Sequence, residues 1–365
     1  MPTTAWAHLG FVGCLSALTG CGTTTSSAPN PVDDSAWAGD PHVDTEARTD
    51  AGDVRTETGC ADADADLGDE DSPWQPPERP VCSGSYAAPQ AHAINGPSEL
   101  IEASGVTASW LNPTVVWLHG DSGTAAKLYA VREDGTFLGT LSLSGTTLVD
   151  PEDIATAPCP AAPLWPCLWL ADTGDNNHTR NDVALYAIAE PEVAADPPFV
   201  SLSTDAIWRF PLSFSAGAVD VEALAMSPEG LTAYLFEKVD AASARVFVAQ
   251  GPFSETGATE ATTLATLITP GVPITQGRMI TAADLHPSGT RLLLRVYTGI
   301  FEYLLDGRPM AELALITPRV VAWGPTSEGQ GEAVAYAGSG IDVLSISEDP
   351  DGVAMQPLHR YACTP

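Results

Sequence analysis

Five acidic residues open short phrases of small and apolar residues along this chain. They are Glu102-Ala-Ser-Gly-Val, Glu152-Asp-Ile-Ala, Glu222-Ala-Leu-Ala, Asp284-Leu-His and Glu332-Ala-Val-Ala, spaced by 50, 70, 62 and 48 residues. Carboxylates brought together repel one another, and burying them is unfavourable unless they are paired, protonated or bound to a cation. A hard divalent ion, Ca²⁺ first among them, would satisfy them with oxygen ligands. Glu152, Asp153, Glu222, Asp284 and Glu332 are therefore the candidate metal ligands. Asp121, Asp172, Asp175 and Asn176 supply further oxygens, and Lys238 and Arg295 are the cations that could meet an anionic ligand. The competing reading is that these acids accept backbone N–H groups and lock neighbouring elements together, a role that suits Glu102 best.

Other chemistry is poorly represented. There is no Gly-x-Ser-x-Gly, no His-Glu-x-x-His and no glycine-rich phosphate loop. His119 and His178 lie near acidic phrases and are the two candidate general bases, whereas His286 and His359 fall in a turn and near the last strand. Asp172-Thr-Gly-Asp175-Asn176-Asn suits a tight turn or a cation equally. Trp110, Trp117, Trp165, Trp169, Trp208 and Trp323 suit packing between sheets better than a sugar-binding platform.

The elements that must position these groups are strands. Self-similarity at a period near 50 residues points to a propeller or a solenoid. After each acid comes a turn, as in Ser227-Pro-Glu-Gly230 and His286-Pro-Ser-Gly289, then runs of strand length without a helical period. About four strands fall in each unit, which is a propeller blade. The coils of a β-helix are much shorter, and a β-sandwich would not repeat its sequence. The expected fold is all-β: one propeller of five four-stranded blades over residues 92–365, with room for a sixth only in the longer second or third interval. The first strand of each blade would line a central channel and gather the five acids there.

The N-terminal part reads differently. Residues 9–20 are a short apolar run that suits a signal peptide over residues 1–20 and is too short to span a bilayer as a helix. Leu18-Thr19-Gly20-Cys21 resembles a bacterial lipobox, which implies cleavage before Cys21 and its lipidation; the preceding residues depart from the pattern in carrying only His8 in place of Lys or Arg. Gly22 after the cysteine implies transfer to the outer membrane. Residues 21–91 read as a lipid-anchored, disordered acidic linker, with fourteen acids against two arginines between Asp33 and Asp71. Its Asp62-Ala-Asp-Ala-Asp66 run lacks the fixed glycine and distal glutamate of an EF-hand. With a net charge of −32, binding to a nucleic-acid backbone is disfavoured, and membrane attachment rests on the lipid alone. Export permits disulfides: Cys159 with Cys167 across a proline-rich insertion, and Cys82 with Cys363 where closure brings the ends together. Cys60 with Cys82 is the competing pair.

Taken in order, several phrases resemble a largely uncharacterised family of exported bacterial β-propeller proteins. They are His119-Gly-Asp-Ser-Gly, Pro151-Glu-Asp-Ile-Ala, Ala171-Asp-Thr-Gly-Asp-Asn followed by Arg180, Glu190-Pro191, Glu222-Ala-Leu, Thr281-Ala-Ala-Asp284, Arg295-Val-Tyr297 and Gln330-Gly-Glu-Ala-Val334. The resemblance covers residues 100–348. It departs at Gly120, where the family commonly has Asn, at Pro151, where it has Trp, and at Val296, where it has Thr. More distantly the arrangement is similar to phytase-like and calcium-dependent lactonase or gluconolactonase propellers, which implies a metal in the channel.

Two functions follow as expectations. One is a monomeric, non-catalytic binding or surface module of the cell envelope, facing the periplasm or the exterior, with an envelope protein or glycan as partner. The other is a metal-dependent hydrolase of a phosphoester or lactone, with Arg295 or Lys238 steadying an anionic substrate.

Overall fold

Runs of β-branched, aromatic and small apolar residues, cut by Gly, Pro, Asp and Ser turns, fold into strands over most of the chain. The computed structural model describes residues 78–365 apart from 161, 163–164, 195–200, 324–327, 329 and 350–351. The expected signal peptide, Cys21, Cys60 and most of the acidic linker lie outside the described residues.

The chain begins with two short strands, β1 (Ser85–Tyr86) and β2 (Gln90–His92). A four-stranded antiparallel unit follows, made of β3 (Ala103–Ala108), β4 (Val115–Gly120), β5 (Lys127–Arg132) and β6 (Phe137–Leu143). The second unit comprises β7 (Pro151–Pro158), β8 (Pro166–Asp172), β9 (Ala184–Ala189) and β11 (Ile207–Phe214). The short β10 (Leu202–Thr204) leaves it to run parallel to β6. The third unit is β12 (Val221–Met226), β13 (Thr232–Glu237), β14 (Ser243–Gln250) and β15 (Thr259–Ile268). The fourth is β16 (Ile280–Leu285), β17 (Arg291–Val296), β18 (Gly299–Leu304) and β19 (Arg319–Trp323). The last contains β20 (Gln330–Tyr336), β21 (Val343–Glu348) and β22 (Leu358–Tyr361). Its outer position is taken by β2 from the other end of the chain. A parallel contact of β11 with β15 merges the second and third units into an eight-stranded, nearly closed sheet whose end strands, β7 and β12, pack on each other.

First strands meet first strands around a ring: β3 packs on β7, β7 on β12, β12 on β16, β16 on β20, and β20 back on β3. An apolar core fills the space between each neighbouring pair of units. Trp117 and Trp169 are wholly buried in two of these cores. The result is a β-propeller-like, all-β fold.

Closure unites the two ends of the domain. Besides β2 on β22, β1 pairs with β23 (Cys363–Thr364), and the disulfide Cys82–Cys363 sits beside that pair. The Arg319 guanidinium donates to the carbonyls of Cys82 and Gly84 and is ion-paired to the buried Glu302, which also accepts from the hydroxyls of Tyr86 and Tyr336. Cys82, β1 and β2 therefore belong to the fold, although residue 92 was the expected start of the domain. Cys159 and Cys167 form the second disulfide. Among the described residues no helix is long and apolar enough to cross a membrane.

Candidate cation site at one end of the ring

Each first strand carries a bulge at the same place, where one residue is left out of the ladder to the second strand. The bulged residues are Ser104, Glu152, Glu222, Thr281 and Glu332. A bulge re-aims a side chain, and here it turns Ser104, Glu152, Glu222 and Glu332 toward one polar cavity of about 240 Å³, while the Thr281 hydroxyl donates to the Gly331 carbonyl. A second layer comes from the residue one beyond the partner of each bulge's preceding residue: Asp121, Thr173, Lys238, Tyr297 and Glu348, of which Asp121, Lys238 and Glu348 line the cavity. Six carboxylates line the cavity, those of Asp121, Asp150, Glu152, Glu222, Glu332 and Glu348, and Lys238 is the cation among its lining residues.

Asp121, Asp150 and Glu152 form the tightest group: one carboxylate oxygen from each lies within 4.8 Å of the others. Burial, reinforced by Glu222, Asp150 and Asp121, pushes the Glu152 carboxyl well above its ordinary range. Burial and the Asp121 charge push Asp150 up to about 6. Gly174 makes room for this group. A Cβ built on it would stand 1.9 Å from Glu152 Oε1 and 2.6 Å from Asp150 Oδ2.

The loop carrying Gly174 is built by the acids of Asp172-Thr-Gly-Asp175. Asp172 accepts the N–H groups of Val149 and Asp150 and is ion-paired to Arg180 at 2.9 Å. Asp175 accepts the N–H groups of Thr179 and Arg180, and Arg180 Nη1 donates to the Gly174 carbonyl. Both acids are thus consumed in shaping the turn and do not line the cavity, whereas the exposed Asn176 does.

The rest of the cavity is wired internally. Lys238 Nζ lies 2.5 Å from Glu222 Oε2 and 5.6 Å from the centre of the Tyr297 ring. Burial alone would lower the Lys238 ammonium, but Glu222 and Glu332 outweigh it and hold the proton more tightly than usual. Gln330 Nε2 donates to Glu332 Oε1 at 2.7 Å and to Glu348 Oε2 at 2.8 Å. Burial, with Glu332 next to it, raises Glu348 to about 8.

Besides Asp172 and Asp175, three more residues expected at this site are elsewhere. Asp153, the neighbour of Glu152, points to the opposite side of its strand and is fully buried. Its carboxylate accepts the N–H groups of Ile154, Leu224 and Ala283, and so ties β7 to β12 and β16. The equivalent positions hold Gly105, Ala223, Ala282 and Ala333, small residues that leave room for one carboxylate. Asp284 lies three residues beyond the bulge of its strand, toward the other end of the ring, where it accepts the Tyr336 N–H at 2.7 Å and faces Arg79. Arg295 is wholly buried, ion-paired to Glu328 and held against Gly331, with Tyr361 and Ser345 donating to the same glutamate. It is not available to a ligand in the cavity. Glu102 ends a short 3₁₀ segment (Ser98–Glu102) ahead of β3 and is not a bulged residue.

Of the candidate bases, His119 is buried with Nδ1 against the Gly120 carbonyl, and burial lowers it to about 4, so it is neutral. His178 is exposed in a left-handed turn with φ 53°. Sequence reasoning missed Asp150 and Glu348. Asp150 was within reach, since it stands two residues ahead of the bulged Glu152.

No protein-family model matches the chain, and no curated protein does. Solved structures with a distant likeness include a gluconolactonase from Xanthomonas campestris, at 12% identity and a TM-score of 0.37 over 78% of this chain and 99% of that one. U3-55K is similar at 10% identity and 0.33, over 71% and 67% of the two chains. Raptor from Chaetomium thermophilum is similar at 10% and 0.41, over 77% of this chain and 29% of its own.

Proposed function

We propose that this chain is a cell-envelope lipoprotein whose five-bladed β-propeller is a non-catalytic binding module with one divalent cation, of the Ca²⁺ type, in its acidic mouth. The observation that carries the cation is the Asp121, Asp150 and Glu152 group. Oxygens bound to one Ca²⁺ at 2.3–2.6 Å lie no more than about 5 Å apart, and these lie within 4.8 Å of one another. Three hard oxygen donors, with a glycine where any side chain would collide with them, fit such an ion. Five bulges at matching positions and five apolar cores support the blade count. Two disulfides support export. Anchoring through Cys21, an outer-membrane address, a monomeric state and an envelope protein or glycan as partner complete the reading.

Thermal unfolding of the full chain, in EDTA and then with Ca²⁺ or Mg²⁺, tests it. At a hundred times its dissociation constant, an ion that binds only the folded state stabilises by about 2.7 kcal/mol. Glu152→Gln should abolish that gain, and a wild-type chain indifferent to every divalent ion would sink the cation.

A second reading, a metal-dependent hydrolase of a phosphoester or lactone, is favoured by the polar cavity of about 240 Å³ beside the group, which has room for a small substrate. A bound ion would supply Lewis-acid polarisation there, and Lys238 would face the anionic end. Turnover of any phosphate ester or lactone, lost in Glu152→Gln, would decide for it.

A further inference from the structure

The two layers around the mouth are nearly fivefold in position but not in charge. Asp121 and Lys238 occupy equivalent places, each immediately after the end of its unit's second strand. In the first unit that place carries a carboxylate, and it joins Asp150 and Glu152 of the next unit in the tight three-acid group. In the third unit it carries an ammonium, and this lies 2.5 Å from the bulged Glu222. In the last unit the corresponding residue, one beyond the partner of Gly331, is a carboxylate again, Glu348 at the end of β21.

We infer that Lys238 is a specificity-determining residue: a tethered cation that occupies the Glu222 side of the mouth and limits the site to one divalent ion, on the Asp121 side. The argument is electrostatic and steric together. With six carboxylates lining one cavity, those that ionise need positive charge beside them. On the Glu222 side a protein ammonium meets that need, seated over the Tyr297 ring at 5.6 Å. The side chain is only 12% exposed and Glu222 only 3%, so the pair is fixed by its surroundings, unlike a surface ion pair. Gln330 closes the third side by donating to Glu332 and Glu348. Nothing comparable neutralises Asp121, Asp150 and Glu152 among the lining residues. The inference rests on the mouth being a cation site, and it adds which half of it the ion takes and why there is room for one.

The test counts bound Ca²⁺ per full-length chain by equilibrium dialysis for wild type, Lys238→Met, and the double variant Lys238→Met with Glu222→Gln. Removal of the ammonium should raise the count by one over wild type, and the added Glu222→Gln should take that increment away. An unchanged count in Lys238→Met overturns the inference, whatever wild type binds. An increment over a wild type that binds none would support the tethered cation while refuting the one-ion reading of the native protein. If Lys238→Met does not fold without metal, Lys238→Gln replaces it, and refolding that requires Ca²⁺ in the variant but not in wild type is the same result in another readout. Refolding of neither variant at any Ca²⁺ concentration overturns it, since Lys238 is then irreplaceable by a metal ion.

Discussion

Adjacent residues on one strand do opposite jobs here, and the pair Glu152 and Asp153 shows how. Glu152 bulges out of its ladder into the polar cavity, and Asp153 turns to the other side and is wholly buried. Burial pushes the Asp153 carboxyl up, but the backbone N–H groups of Leu224, Ala283 and Ile154 counter that by bonding its charged form. Two of those donors belong to other strands, so the carboxylate is a latch between units. Asp153→Ala leaves those donors unmet, each at about 1–3 kcal/mol. Denaturant unfolding should show a loss of that order or more with no change in cation response per folded molecule. A loss below about 1 kcal/mol would remove the latch role. Of the two readings open for the sequence, Asp153 takes the latch, while Glu152 faces the cavity of the proposed cation.

At the scale of elements, the repeated acidic phrase indicated strands, units and their order because strand length, turn residues and a period near 50 are all local signals. The acids themselves were aligned by type, and that is where the sequence reading failed. The true repeat is the bulge, and it falls on Ser104 and Thr281 in two units. Asp284 and Glu102 resemble the repeat only in charge. A shift of one residue reverses the face of a strand, so no alignment by residue type could tell Glu152 from Asp153. Gly331 carries another hidden signal: a Cβ there would stand 1.7 Å from Arg295 Nη2, and Arg295 has no solvent to retreat into. The glycine of Gln330-Gly-Glu332 therefore serves the buried Arg295–Glu328 pair, not the cavity. Gly331→Ala should destabilise by at least the roughly 1–3 kcal/mol of an overpacked core. Because Arg295 is outside the mouth, the Ca²⁺ shift should survive the substitution. Loss of that shift with stability intact would instead tie Arg295 to the site.

Over the whole molecule, closure joins residues far apart in sequence. The Cys82–Cys363 bond spans 281 residues and sits beside β1 on β23, with Arg319 and Glu302 underneath. Cross-links of long loops restrict the unfolded chain most. Replacing both cysteines by alanine should cost about 2–5 kcal/mol, read as a lower midpoint in denaturant. The short-loop pair Cys159–Cys167, eight residues apart, should matter less when replaced in the same way. The reverse ranking would place the stabilising constraint in the proline-rich loop and not in closure.

Charge acts on the same scale, and its pH dependence has a definite sign. Burial raises Asp150 to about 6, Asp284 to about 7 and Glu348 to about 8, from ordinary values of 3.8 for Asp and 4.5 for Glu. A carboxyl whose folded-state value exceeds its unfolded value holds its proton more tightly in the native protein. Its contribution is complete below about pH 4 and is lost as pH rises through the folded value. Glu328 opposes this at the acid end. Burial would raise it, but Arg295 and its hydrogen bonds hold it below its ordinary value, so its contribution fades only at pH values under 4.5. His119 and His286, both lowered by burial to about 4, oppose the raised carboxyls as well, up to about pH 6.5. Between about pH 6.5 and 8 the raised carboxyls dominate, and the cation-free protein should lose stability across that window. The proposed divalent ion would take the place of the protons in the mouth, so added Ca²⁺ should recover more of the melting temperature near pH 8 than near pH 5. Asp284 is outside the mouth, so part of the slope should remain with Ca²⁺ present and shrink in Asp284→Asn. Melting curves in EDTA and in Ca²⁺ at about pH 5, 6.5 and 8 test this directly. An EDTA profile that is flat or rises between about pH 6.5 and 8 would mean that these carboxyls are already ionised and paired, which would remove the electrostatic demand for a cation in the mouth.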